Sequence, residues 1–168
     1  MAQRVKAKQP NSKMCVVCGL KNPYGLHASF FELEGGELVA TFAGRAEHQG
    51  YPGRLHGGIA TAILDEAIGR AIRIRHGDKV WGVTVEVTTR FKKPIPVGEK
   101  LTVRCRLTHE DSRFFDGTGE ILLPDGELAA TGRGRYIKLP IEKIAELNVE
   151  EQEWKVTSHP DDPKEIAL

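Results

Sequence analysis

The 168-residue sequence contains only three cysteines, two tryptophans and two methionines, and its 24 Lys and Arg are balanced by 23 Asp and Glu to a net charge of +1. No apolar run approaches the roughly 18 residues of a membrane span, and the N-terminus lacks the apolar stretch of a secretion signal. These absences predict a cytoplasmic protein without a membrane or nucleic-acid partner. Counting by segment supports the second exclusion. Residues 1–14 carry Arg4, Lys6, Lys8 and Lys13 with no acid, residues 140–168 carry eight acids and three bases, and the middle holds 17 bases and 15 acids. The excess of base therefore sits on a short terminal arm, expected to be disordered, and not on a folded face. There is no internal repeat and no low-complexity segment.

An odd number of cysteines without a secretion signal argues for reduced thiols. Cys15-Val16-Val17-Cys18 has the spacing of a zinc or redox pair. A structural zinc site requires four ligands, however, and beyond this pair only Cys105 and scattered histidines are available. No βαβ pattern follows to support a redox motif. No metal and no organic cofactor is expected.

What the sequence does contain is a clear change of period. Residues His27 to Leu33 and Glu37 to Ala43 alternate around Glu34-Gly35-Gly36, as a hairpin does. Five glycines and Pro52 between Gly44 and Gly58 mark a loop. Ile59 to His76 is apolar at nearly every turn position, with Gly77-Asp78 closing it, which predicts one long, mostly buried helix. Four strand-length runs follow, Val80 to Phe91, Lys100 to His109, Arg113 to Leu123 and Glu127 to Leu139, separated by turn residues. Short connections predict antiparallel pairing of consecutive strands, and the apolar helix needs a sheet to cover it. The expectation is an α+β domain over residues 15–139 with the order ββαββββ. Pro140 to Val156 places Ile141, Ile144, Ala145 and Leu147 at helical spacing, predicting a short surface helix and then an acidic tail within residues 140–168.

The chemistry-bearing stretch is His48 to Gly58, running directly into the helix that contains Asp65. Paired glycines at a helix start cost stability, but their unobstructed N–H groups are suited to polarising a ligand oxygen. A tight loop-to-helix junction is the alternative reading. Asp65 is a carboxylate inside an apolar helix, expensive there unless it is partnered or used. Gly58, Thr61, Asp65 and Gly69 share one helical stripe, and the small residues leave room beside the carboxylate for a substrate. Glu66, with Arg70 and Arg73 four and seven residues on, reads as one half of a surface ion pair. Gly57 and Asp65 are eight residues apart, about 12 Å along one helix. If both act on one carbonyl, they must come from two chains with antiparallel helices across a two-fold axis.

His56-Gly57-Gly58 with Asp65, followed by Gly82-Val83-Thr84-Val85 and Arg90-Phe91-Lys92-Lys93-Pro94, resembles the hotdog-fold acyl-CoA thioesterases of the PaaI type over about residues 15–139. Cys15 to Gly19 and Asn22 to Leu26 extend the similarity. The resemblance implies an antiparallel sheet wrapped around the helix, and homodimers that join edge strands, sometimes paired again into tetramers. It implies hydrolysis of an acyl-CoA thioester, with CoA entering only as part of the substrate. Asp65 would act as general base or nucleophile and the Gly57 N–H would hold the oxyanion. His56 would orient the Gly57-Gly58 start, and Thr84 would position water. Gln49, seven residues before His56, stands where relatives carry an assisting amide. Phe91, Lys92, Lys93, Arg113 and Phe114 match segments that hold the pantetheine arm and nucleotide, and Cys15 and Cys18 would pack at the domain edge. An acyl-CoA sensor that does not cleave, and a hydratase using His56 as base, remain as alternatives.

Overall fold

The structure, a computed structural model, describes residues 2–146 and 148–168. Its elements are β1 (Ala2–Lys8), β2 (Ser29–Leu33), β3 (Leu38–Ala43), α1 (Gly57–Arg70), α2 (Arg73–His76), β4 (Trp81–Phe91), β5 (Lys100–Glu110), β6 (Phe114–Leu122), β7 (Leu128–Leu139) and β8 (Glu165–Ala167). The eight strands form one sheet in the order β4-β7-β6-β5-β3-β2-β1-β8, antiparallel throughout.

Helix α1 buries Ala60, Ile63, Leu64, Ala67 and Ile68. They meet Phe30, Leu38, Val103, Phe115 and Ile121 from the sheet in one core, each large side chain contributing about 1.5–3 kcal/mol by leaving water. The backbone of the sheet approaches the helix closely. A Cβ at Gly117 would lie 2.7 Å from Ile68 Cγ2, and one at Gly119 would lie 3.0 Å from Leu64 Cδ2. The long helix wrapped by an antiparallel sheet is the hotdog arrangement.

Four expectations are corrected. The single helix Ile59 to His76 is two, because the chain turns at Ala71 and Ile72 before the one-turn α2, which ends at Gly77 with φ of 57°. Ala71 and Ile72 are both buried, so the apolar period runs through the break and hides it from a periodicity argument. The strands β4 and β5 are consecutive but unpaired: β4 pairs with β7, and β5 lies between β3 and β6. The connection between them is tied instead to the loop before α1, through Leu55 N–H to Ile95 O at 2.8 Å and Gly98 N–H to Gly44 O at 2.7 Å.

Within the arm expected to be disordered over residues 1–14, residues 2–8 are strand β1, pairing with β2 and β8; Met1 lies outside the described residues. Its partners explain this. Phe31, Leu33, Val39 and Ile166 form a second buried cluster that Val5 covers, and Lys8 meets Asp162 at 2.7 Å. The basic arm and the acidic tail thus pair with each other. The expected C-terminal helix is reduced to a 3-10 turn at Ile141–Lys143, and Leu147, one of its predicted apolar positions, lies outside the described residues. The tail then returns along the domain, and Trp154 rests 5.1 Å from Trp81, ring centre to ring centre.

Candidate active site

The start of α1 is built by His56. Its backbone is extended (φ −63°, ψ 136°) and its Nδ1 accepts the Gly58 N–H at 2.9 Å, which satisfies one of the donors that a helix start leaves open. The next two donors, Ile59 and Ala60 N–H, reach His56 O. The Gly57 N–H has no partner among the described residues, and the exposed ring of Phe91 stands beside it, 3.4 Å from where a Cβ would be. With Nδ1 accepting, the neutral His56 ring carries its proton on Nε2. That tautomer has no free lone pair for base catalysis, which weakens the hydratase alternative.

From this point α1 runs antiparallel to β4, and the stripe expected from the helical wheel faces that strand. Thr61 Oγ1 donates to Thr89 Oγ1 at 3.1 Å. One turn on, Asp65 meets Thr84, and a further turn on, the Gly69 carbonyl lies 3.4 Å from the Cβ position of Gly82. Thr84 Oγ1 donates to Asp65 Oδ1 at 2.9 Å, and Tyr136 Oη lies 3.1 Å from the same oxygen and 2.9 Å from the Asp65 backbone carbonyl. Among the described residues no donor meets Oδ2. The carboxylate is therefore held by one oxygen and open at the other.

Tyr136 is the functional neighbour that the sequence did not reveal. It is fully buried on β7 and stacks on Phe115 with ring centres 4.9 Å apart. Burial, and then the negative charge of Asp65, push its phenol well above the ordinary tyrosine range, which keeps it a neutral donor. In sequence it is one aromatic in an alternating strand; only the crossing of β7 under α1 brings it to Asp65.

Asp65, Gly69, Thr84 and Tyr136 line a cavity of about 310 Å³, together with Glu66, Arg70, Arg73, Trp81, Trp154 and the two cysteines of the Cys-Val-Val-Cys segment. Glu66 does pair with Arg70, at 2.9 Å, but not at the surface: the Arg70 side chain is only 8% exposed. Cys15 and Cys18 do not simply pack at the domain edge, since Cys15 Sγ lies 3.0 Å from Glu66 Oε2. Arg73 turns to Asp78 instead of Glu66, and its guanidinium lies over both Trp81 and Trp154.

Other predicted residues are dispersed. Gln49 is exposed and its Oε1 accepts the Gly53 N–H at 3.1 Å, shaping the loop. Lys93 is paired with Glu127, while Lys92 is exposed. Arg113 lies over the Phe114 ring. Phe91 is opposite Ala130 and Phe114 opposite Ile137. Seven residues along β7 separate the two groups by about 24 Å, so one chain does not bring Phe91, Lys92 and Lys93 together with Arg113 and Phe114. The outer edge of β4 pairs with no strand among the described residues, and Val85 and Phe91 on β4 are 56% and 54% exposed.

Residues 52–130 match the model of the Thioesterase superfamily. A curated relative, acyl-coenzyme A thioesterase THEM4 of Bos taurus, is 29% identical over 106 residues, 62% of this chain and 42% of that protein; the chain thus spans less than half of that relative's length. A solved thioesterase superfamily protein superposes with a TM-score of 0.67 at 27% identity, covering 74% of this chain and 63% of that one. The E. coli PaaI protein from the phenylacetic acid degradation operon superposes with a TM-score of 0.61 at 21% identity, covering 68% and 80%. Fold and match agree: the chain has the hotdog fold, which it shares with the PaaI protein, and residues 52–130 are similar to the Thioesterase superfamily.

Proposed function

We propose that the protein hydrolyses acyl-CoA thioesters and works as an assembly of at least two chains. The observation that carries this reading is the state of Asp65: Oδ1 is fixed by Thr84 and Tyr136, Oδ2 meets no donor among the described residues, and Asp65 lines the cavity. A carboxylate so held presents one oxygen in a defined direction, either to take a proton from water or to attack the thioester carbonyl carbon. In both routes the C–S bond breaks, the thiol of CoA leaves with a proton, and water supplies the oxygen of the free acid. A sensor that binds without cleaving has no use for such a group.

The developing oxyanion needs a donor, and the Gly57 N–H is suited to that role in charge and access. It lies about 12 Å along α1 from Asp65 of the same chain, so the pair acts on one carbonyl only if each comes from a different subunit. The unpaired edge of β4, 11 residues long and carrying exposed Val85 and Phe91, offers the surface for such pairing. The same assembly would bring Phe91 and Lys92 of one chain toward Arg113 and Phe114 of the other, as a shared grip on CoA.

The test is a hydrolysis screen over short, long and aromatic acyl-CoAs, following the released thiol, in the wild type and in Asp65→Asn. The amide keeps an Oδ1 acceptor for Thr84 and Tyr136, so the fold is retained while turnover falls by about 10²–10⁴-fold. Binding without turnover in the wild type, unchanged by Asp65→Asn, refutes hydrolysis and supports the sensor reading.

A further inference from the structure

Two cysteines singled out by their spacing take no part in the reaction proposed above, and the fold gives them a third partner that no sequence motif predicts. Residues 15–18 form a turn in which Cys15 Sγ accepts the N–H of Val17 at 3.3 Å and of Cys18 at 3.4 Å. Two backbone amides thus fix the position of this sulfur. The turn closes through Gly19, whose N–H reaches Cys15 O at 2.8 Å and where a Cβ would lie 2.5 Å from Cys15 N. Glu66, 51 residues away on α1, brings Oε2 to 3.0 Å from Cys15 Sγ. One donor atom each from Cys15, Cys18 and Glu66 lies within 4.8 Å of the others, and the group borders the cavity.

The chemistry of this set is selective. Two thiolates and a carboxylate suit zinc and similar thiophilic ions, whereas magnesium and calcium prefer oxygen alone. Zinc ligands stand about 2.0–2.3 Å from the ion, so small side-chain rotations suffice to close these three donors around it. Charge balances as well. Three anionic ligands and a divalent ion leave one negative charge, and the buried Arg70 guanidinium, 2.9 Å from Glu66 Oε1, supplies the counter-charge without using Oε2.

We propose that Cys15, Cys18 and Glu66 form a binding site for one thiophilic divalent cation of the zinc class, with its fourth position directed to the cavity. Ser12, whose Oγ lies 3.3 Å from Cys18 Sγ, lines the cavity on the same side. Binding releases the two thiol protons to solvent and involves no change of oxidation state. The ion would staple the N-terminal segment to α1, on the wall that Asp65 also lines. Cys105 is separate, buried in the sheet against Gly119.

The experiment loads the full chain, purified under reducing conditions, with zinc or cobalt(II) and removes the excess. Metal per chain is measured by elemental analysis, and the cobalt form is examined for thiolate-to-cobalt charge-transfer absorption. The expected result is one ion per chain with that absorption, retained in Cys105→Ser and lost in Cys15→Ser and Cys18→Ser. Affinity should fall at least about tenfold in Glu66→Gln. As a control independent of any variant's folding, the wild type is also alkylated with and without zinc: bound metal should slow modification of Cys15. Substoichiometric metal, loading unaffected by Glu66→Gln, or a Cys15–Cys18 disulfide that forms equally in the presence of zinc overturns the proposal. None of these readouts depends on thioester hydrolysis.

Discussion

Replacing Gly57 by proline separates the oxyanion role from every structural role of the same residue. Gly57 is the first residue of α1, where a missing N–H breaks no helix bond and where proline is favoured. The residue before it must be extended to precede proline, and His56 already is, at φ −63° and ψ 136°. The added Cβ would stand 3.4 Å from Phe91 Cζ, an ordinary contact. The fold should therefore be kept, or stabilised by about 0.4–1 kcal/mol through the lost freedom of the unfolded chain. What disappears is one unpartnered N–H. Loss of a single oxyanion donor costs about 10²–10³ in kcat, or roughly 2.7–4 kcal/mol. Steady-state thiol release, with thermal unfolding as the control, measures both sides. Co-expression with Asp65→Asn sharpens the result: random pairing gives half mixed dimers, each with one intact site of two, and so about a quarter of the wild-type rate. A Gly57→Pro protein with full kcat refutes the oxyanion assignment, and mixed dimers that stay inactive refute the shared site.

Three further outcomes are expected. Tyr136→Phe removes one of two donors to Asp65 Oδ1, so kcat should fall about tenfold or more at little changed KM, with about 1–3 kcal/mol lost in denaturant unfolding. Glu110 accepts from Lys138, His76 and Arg75 at 2.7, 2.6 and 3.0 Å. Partial burial opposes its ionisation, but these bonds prevail and hold the carboxyl down to about 2, from an ordinary 4.5. A depressed folded-state value contributes stability above pH 4.5 that is lost as pH falls toward 2, so Glu110→Gln should flatten the pH dependence of Tm in that window and leave it unchanged if the network is idle. Gly117→Ala puts a Cβ 2.7 Å from Ile68 Cγ2 and should cost about 1–3 kcal/mol by overpacking; an unchanged Tm would show that the helix can lift off the sheet without cost.

Much of the fold was legible because it is written in local periodicity. The strand runs after the helix agree with β4, β5, β6 and β7 to within one or two residues, since alternation and turn residues are properties of short segments. The stripe through Thr61, Asp65 and Gly69 was equally legible, and it does face one strand. Three features were not. The strand β1 reads as a charged arm, because its stabilisation comes from Phe31, Leu33 and Asp162, which are distant in sequence. The unpaired neighbours β4 and β5 look like a hairpin, because a crossover and a turn have similar composition. The pairing of Cys15 with Glu66 joins two segments that no common motif links.

The sequence by itself determined that Asp65 stands on the polar side of an apolar helix and that His56-Gly57-Gly58 begins that helix, because both follow from spacing along a single element. It also determined, through a rise of about 1.5 Å per residue, that Gly57 and Asp65 are too far apart to serve one carbonyl within a chain. The tertiary structure alone decided which oxygen of Asp65 is occupied and which is open, because Thr84 and Tyr136 reach it from two strands that are neighbours only in the sheet. The same holds for the balance of the charged ends: their sum is a property of composition, but Lys8 meets Asp162 only because β1 and the returning tail lie side by side.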